Sequence, residues 1–158
     1  MYVYYYGYRK NREVVNDGND IYLDGGNLGY IRIDDDGTDR DFYAEKVVFK
    51  MPSEHTLNGE HTEMEIQVHH KILDSDAVPD FATKAVVSIM IRPGDKSYFI
   101  NSLEYESIPG KNSNHTLVDS NVNLMSIVEA DDKYFHYKGS ISHPECEEDV
   151  LWYVYEKQ

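Results

Sequence analysis

Two nearby stretches of the chain alternate in polarity with a period of two. In Lys46–Met51 one face carries Lys46, Val48 and Lys50, and the other carries Val47, Phe49 and Met51. In Met64–His70 one face carries Met64, Ile66, Val68 and His70, and the other Glu65, Gln67 and His69. Residues two apart share a face of a strand. Both stretches therefore read as strands with one apolar face turned to a core. The mixed faces line a partly polar cavity or groove. On composition alone, Lys46 and Lys50 are solvated charges on that open face.

The same chemistry recurs along the chain. Fourteen tyrosines, frequent Val and Ile, and short alternating runs favour sheet. Strands are predicted at Tyr2–Tyr8, Asp20–Leu23, Tyr30–Asp34, Phe42–Met51, Thr62–Lys71, Ala85–Arg92 and Val150–Tyr155. Asp17-Gly18, Asp24-Gly25-Gly26, Asp36-Gly37, Asn58-Gly59 and Pro109-Gly110 mark turns. One short helix is predicted over Lys96–Glu104, capped by Asp95, and the Asn- and Ser-rich segment Glu106–Glu129 reads as a surface loop. With 158 residues and no repeat or linker, the chain is read as a single mostly-β domain.

Charge narrows the partners. Against 15 basic side chains stand 29 acidic ones, a formal net charge of -14. Such a surface repels phosphate backbones and anionic membrane faces, so nucleic acid is not an expected partner. No segment approaches the roughly 20 apolar residues of a membrane span, so direct membrane insertion is not expected. The N-terminus does not read as a signal peptide, because its basic residues follow the aromatic run. The single cysteine, Cys146, has no internal partner, and Asn114-His115-Thr116 is a glycosylation sequon that matters only in an exported chain.

Three signatures carry a family resemblance. Ser53-Glu54-His55-Thr56, then Met64-Glu65-Ile66-Gln67-Val68-His69-His70, form the first. The second is Tyr134-Phe135-His136-Tyr137-Lys138-Gly139-Ser140-Ile141-Ser142-His143, followed by Val150-Leu151-Trp152-Tyr153-Val154. The third is Val15-Asn16-Asp17-Gly18-Asn19-Asp20. Together they resemble the α-class carbonic anhydrases, in family order, over about two-thirds of a family domain of roughly 250 residues. The resemblance implies a twisted mixed β-sheet with few short helices, truncated at both ends. It also places Cys146 where exported members carry half of a disulfide.

In that family three histidines hold zinc, leaving a fourth position for the attacking hydroxide. Counting from the motifs, those ligand positions fall on Val48, Lys50 and Gln67. Val48 offers no donor atom, Gln67 is a poor neutral ligand, and an ammonium at Lys50 repels a dication. Glu54 and Ser142 match the glutamate and hydroxyl that orient the zinc-bound hydroxide, and Glu65 matches the carboxylate behind the third histidine. Asn19 takes the proton-shuttle position but cannot titrate near neutral pH. His69, Val86, Ile141 and His143 take pocket positions. Trp152 reads as a core aromatic, and His55 and His70 as structural hydrogen-bonding groups.

The resemblance therefore implies a metal-free, cofactor-free protein rather than an enzyme. Buried acids left without a cation are costly, so the Lys50 ammonium is predicted to replace the zinc charge by pairing with Glu65 or Glu54. The expected role is a structural or binding subunit that meets other protein chains at exposed sheet edges and termini. The competing reading is a zinc-dependent carbonate dehydratase with a rebuilt metal site. Against it, none of the seven histidines forms a His-x-His pair, and His69 and His70 point to opposite faces.

Overall fold

The structure, a computed structural model, describes all residues except 10, 25, 74–80, 118–120, 129–131, 143–145 and 156–158. Among the described residues, fourteen strands follow one another. They are β1 (Tyr2–Tyr5), β2 (Tyr8–Arg9), β3 (Arg12–Asn16), β4 (Ile21–Asp24), β5 (Gly29–Asp35), β6 (Thr38–Lys50), β7 (Thr56–Leu57), β8 (Glu60–His61), β9 (Met64–Ile72), β10 (Lys84–Ile91), β11 (Ser113–Leu117), β12 (Asn121–Val122), β13 (Tyr134–Gly139) and β14 (Val150–Tyr155). A short helix, α1 (Tyr98–Ser102), sits between β10 and β11.

The main sheet runs β11-β3-β4-β6-β9-β10-β14-β13, with β5 added to β6 and β1 added to β5. Among the described residues, only β10 and β14 of this sheet pair in parallel; the other pairings are antiparallel. The chain thus forms the mostly-β mixed sheet that the sequence predicts. Tight turns close two hairpins where both central residues have positive φ: Asp36 and Gly37 at 49° and 86°, Asn58 and Gly59 at 55° and 84°. That geometry matches the twist of the flanking strands, and Asn/Asp-Gly pairs supply it at least cost.

In the β6–β9–β10 block, Val47, Phe49, Ile66, Val68, Val87 and Ile89 are buried on one face in the main core. The register slips between Ala44 and Lys46, leaving Glu45 as an extra residue. This bulge keeps Ala44 and Val47 both in the core although they are three residues apart. It also turns Lys46, Val48 and Lys50 to the opposite face. Met51 does not extend the apolar face, because β6 ends at Lys50 and Met51 is exposed.

Several sequence expectations need correction. The predicted strand Tyr2–Tyr8 breaks at Tyr6-Gly7, because Tyr8–Arg9 leaves the main sheet to pair with Asn121–Val122. The segment 106–129 is no mere surface loop. It contains β11 and β12, and it buries Leu117, Val122, Leu124 and Val128 while its described Asn and Ser residues other than Asn123 are exposed. The strand at Arg12–Asn16 is not among the predicted ones, and Tyr134–Gly139 is marked by the family resemblance but not by its residue pattern. The helix is shorter than Lys96–Glu104, and its cap is Ser97, whose side chain accepts from the Ile100 N–H, not Asp95. Glu104 then takes a left-handed conformation.

Candidate functional site

The polar face of β6, β9 and β10 is set by register. Lys50 stands opposite Glu65, Val48 opposite Gln67, and Lys46 opposite His69. On the other side of β9, Ser88 is opposite Gln67 and Val86 is opposite His69. Residues that face each other across an antiparallel pair share a side of the sheet, so these side chains meet on one surface.

Glu65 is the hub. Its side chain is fully buried. Oε2 accepts the backbone N–H groups of Glu54 and His55 at 2.8 and 2.9 Å. Oε1 lies 2.7 Å from His55 Nδ1 and accepts from Gln67 Nε2 at 2.9 Å and from Ser88 Oγ at 2.7 Å. Burial alone pushes the carboxyl pKa up, but the donors from His55 and Ser88 outweigh it and bring it from 4.5 to about 2. His55 in turn meets the Tyr137 hydroxyl through Nε2 at 2.7 Å. Its Nδ1–H donates to the carboxylate, and Nε2 accepts from Tyr137. Trp152 lies edge-on to the His55 ring at 5.0 Å, and its Nε1–H donates to Ser140 O at 3.2 Å. Burial, with the charges of Glu65 and Glu54 adding, pushes Tyr137 up to about 12.

Beside this hub lies a second cluster. Lys50 Nζ is 2.6 Å from Asp20 Oδ1 and 3.0 Å from Glu54 Oε1, and its side chain is only 13% exposed. Glu54 Oε2 accepts from Gln67 Nε2 at 3.0 Å and from Ser142 Oγ at 2.7 Å. Burial opposes both charges. Even so, the Asp20 and Glu54 partners hold the Lys50 ammonium above its ordinary pKa, while Ser142, Gln67 and Lys50 hold Glu54 below its own. The Gln67 amide joins the clusters, donating to both glutamates and accepting at Oε1 from His69 Nε2 at 3.3 Å.

The expected pairing of Lys50 with Glu65 or Glu54 therefore falls to Glu54. Glu65 takes its donors elsewhere, although it stands directly opposite Lys50 in register. Glu54 is less buried than expected, with a third of its side chain exposed. Lys50 is not a solvated charge, and Lys46 lies over the Tyr22 ring at 5.8 Å.

Asp20 and Ser88 are members that sequence reading missed. With Ile21 paired to Phe49, the residue before β4 falls next to Lys50, a placement that only the strand register sets. Asn19 is exposed in the turn between β3 and β4, its N–H donating to Asp17 Oδ1 at 2.9 Å. Val86 and Ile141 pack with Val150 and Trp152 in a small buried cluster on this side of the sheet. A recess of about 270 Å³ opens beside His69, bounded also by Lys46, Lys84, Val86, Ile141 and Glu147. His143 lies outside the described residues. Among the described residues, no three His, Cys, Asp or Glu side chains group in a way that could hold a metal.

The match to known proteins follows this architecture. The family model for eukaryotic-type carbonic anhydrase matches residues 3–158. The chain belongs to that family. It is 31% identical over 144 residues to dioscorin dioA3 of Dioscorea japonica, covering 90% of this chain and 49% of that protein. It is 33% identical over 109 residues to carbonic anhydrase 4 of Mus musculus, covering 66% of this chain and 36% of that protein. The α-carbonic anhydrase of Photobacterium profundum superposes with a TM-score of 0.77 at 27% identity, covering 98% of this chain and 65% of that one. Dioscorin complexed with ascorbate gives 0.77 at 28%, covering 99% and 62%. The chain thus spans about half or less of the length of these two relatives, and just under two-thirds of the two solved chains.

Proposed function

We propose that this carbonic-anhydrase-like chain lacks zinc-dependent hydration chemistry and acts as a structural or binding subunit that meets other protein chains at its sheet edges. One observation carries the reading: the Lys50 ammonium, at a position where the family motif implies a metal ligand, is held between Asp20 and Glu54. A lysine ligates only as the neutral amine, and both partners favour the charged form. The other two positions support the same reading. Val48 has no donor atom, and the Gln67 amide is committed to Glu54, Glu65 and His69. The residues present do not fit a zinc ion, which is built into proteins by Cys, His and carboxylate. Asn19 leaves the shuttle position without a titrating group.

The test has two readouts. After dialysis against zinc and removal of excess, elemental analysis is expected to find no stoichiometric metal. Stopped-flow carbon dioxide hydration is expected to match the buffer rate. One zinc per chain together with hydration above background establishes the rebuilt-site dehydratase instead and ends this proposal.

A further inference from the structure

Two tyrosine–histidine hydrogen bonds form among the described residues. In the core, the Tyr5 hydroxyl meets His70 Nε2 at 2.8 Å. At the site, the Tyr137 hydroxyl meets His55 Nε2 at 2.7 Å. The pairs differ in what stands behind the imidazole. His70 is buried, and its Nδ1 has no hydrogen-bond partner. His55 Nδ1 lies 2.7 Å from Glu65 Oε1, so carboxylate, imidazole and phenol form a relay. An imidazolium at His70 would be a buried charge with nothing to balance it, and burial already lowers that ring to about 3. An imidazolium at His55 would form against an anion, which offsets the cost of the charge.

The surroundings of Tyr137 suit a reaction at its ring. The ring lies parallel to the Trp152 indole, with 3° between the planes and 6.0 Å between centroids. It is 40% exposed at a recess of about 280 Å³ that His55, Leu57, Phe135 and Val154 also line. A small redox partner can reach it there. Burial and the charges of Glu65 and Glu54 push the phenol up to about 12, so it does not lose its proton alone near neutral pH. Taking an electron from a phenol makes it a strong acid. Proton and electron therefore leave together where a base is already hydrogen-bonded to the oxygen.

We propose that Tyr137 is the redox-active tyrosine of this chain, giving an electron to a one-electron oxidant while its proton crosses to His55. The oxidant class is an oxidising metal complex or radical that enters the recess. The step balances: the O–H bond breaks, the oxidant gains one electron, and an N–H bond forms at His55 Nε2. A neutral phenoxyl radical is left beside Trp152, and Glu65 faces the new imidazolium. A one-electron donor reverses the step, the proton returning to the oxygen. Tyr5 is excluded because no carboxylate backs its histidine. A ring such as Tyr98, 88% exposed, has only water to take its proton. A positioned base gains about 10²- to 10⁴-fold over that. Neither zinc content nor the subunit role proposed above bears on this step.

Flash photolysis of the full chain with ruthenium(II) tris(bipyridine) and persulfate supplies a ruthenium(III) oxidant and tests the step. Transient absorption is expected to show a fast phenoxyl phase that slows in D2O, because a proton moves with the electron. Tyr137→Phe should remove that phase and leave one about 10²-fold slower. His55→Gln, which removes the base, and Glu65→Gln, which removes the charge behind it, should both slow it, with thermal melts to confirm that each is folded. On the unaltered chain, a nitroso spin trap followed by tandem mass spectrometry should locate the radical at Tyr137. A fast phase that survives Tyr137→Phe, the absence of a solvent isotope effect, or a folded Glu65→Gln running at the parent rate overturns the proposal. So does capture first at Tyr5 or Tyr98.

Discussion

The two faces of the β6–β9–β10 block are written in the same alternating stretches, yet they hold together by different physics. The core face joins Val47, Phe49, Ile66, Val68, Val87 and Ile89 by area and fit, forces that are non-directional and fall in proportion to the volume removed. Its one large polar group, His70, meets Tyr5 OH at 2.8 Å. The site face links Lys50, Glu54, Gln67, Glu65, Ser88 and His55 through hydrogen bonds of 2.7 to 3.0 Å. There a deletion is costly through what it leaves behind, namely donors without acceptors and charges without partners.

The largest effect is expected from Glu65→Ala. It orphans two backbone N–H groups and three side-chain donors, a loss of about 4 kcal/mol in urea unfolding. Next comes Ile66→Ala, its neighbour on the opposite face, at about 3 kcal/mol from lost contact and a residual cavity. If Ile66→Ala proves the costlier of the two, the contrast between the faces is broken. Lys50→Met removes the cation from between Asp20 and Glu54 at about 2 kcal/mol, less than a fully buried pair because Glu54 is partly solvated.

Acid should separate the faces by pH window. Burial lowers His70 from 6.5 to about 3, so its neutral form stabilises the fold. That contribution is complete above 6.5 and drains away as the pH falls towards 3. Glu65, lowered from 4.5 to about 2, contributes fully above 4.5 and loses its share as the pH falls through about 2. Urea midpoints measured across this range for His70→Gln should flatten the upper window, and for Glu65→Gln the lower one. A His70→Gln profile parallel to the parent between the two starting points would contradict the assignment. The smallest effect is expected from Ser142→Ala, which costs Glu54 one donor at an exposed position: about 0.5 kcal/mol in the same unfolding assay.

Much of the sheet was legible because β4, β5, β6, β9, β10 and β14 carry strong apolar or alternating runs, which a packed face enforces. The strands that escaped lie where that enforcement is weak. In β13 every residue from Tyr134 to Lys138 is exposed, so no burial period marks it. In β11 only Leu117 is buried, and the strand exists because its backbone pairs with β3. At the site, the family resemblance and a charge argument together pair Lys50 with Glu65 or Glu54, and the 3.0 Å distance to Glu54 bears out the second alternative. The choice of Glu54 over Glu65 was not legible. It depends on the backbone turn at Ser53–His55, which aims two N–H groups at Glu65 and leaves Lys50 to the other acid. Asp20 escaped for the same reason, since its partner lies 30 residues away and only the register of β4 on β6 brings them together.

The parallel pairing of β10 with β14 bears on how the chain reaches this state. Val86 meets Trp152 across that seam, while α1, β11, β12 and β13 all intervene in sequence. Closing so long a loop carries an entropic barrier before any contact rewards it. During synthesis β10 must therefore wait, one apolar flank uncovered, until β14 has left the ribosome. Of these pairings the β10–β14–β13 side of the sheet is completed last, and a chaperone that shields β10 in that interval would serve this protein.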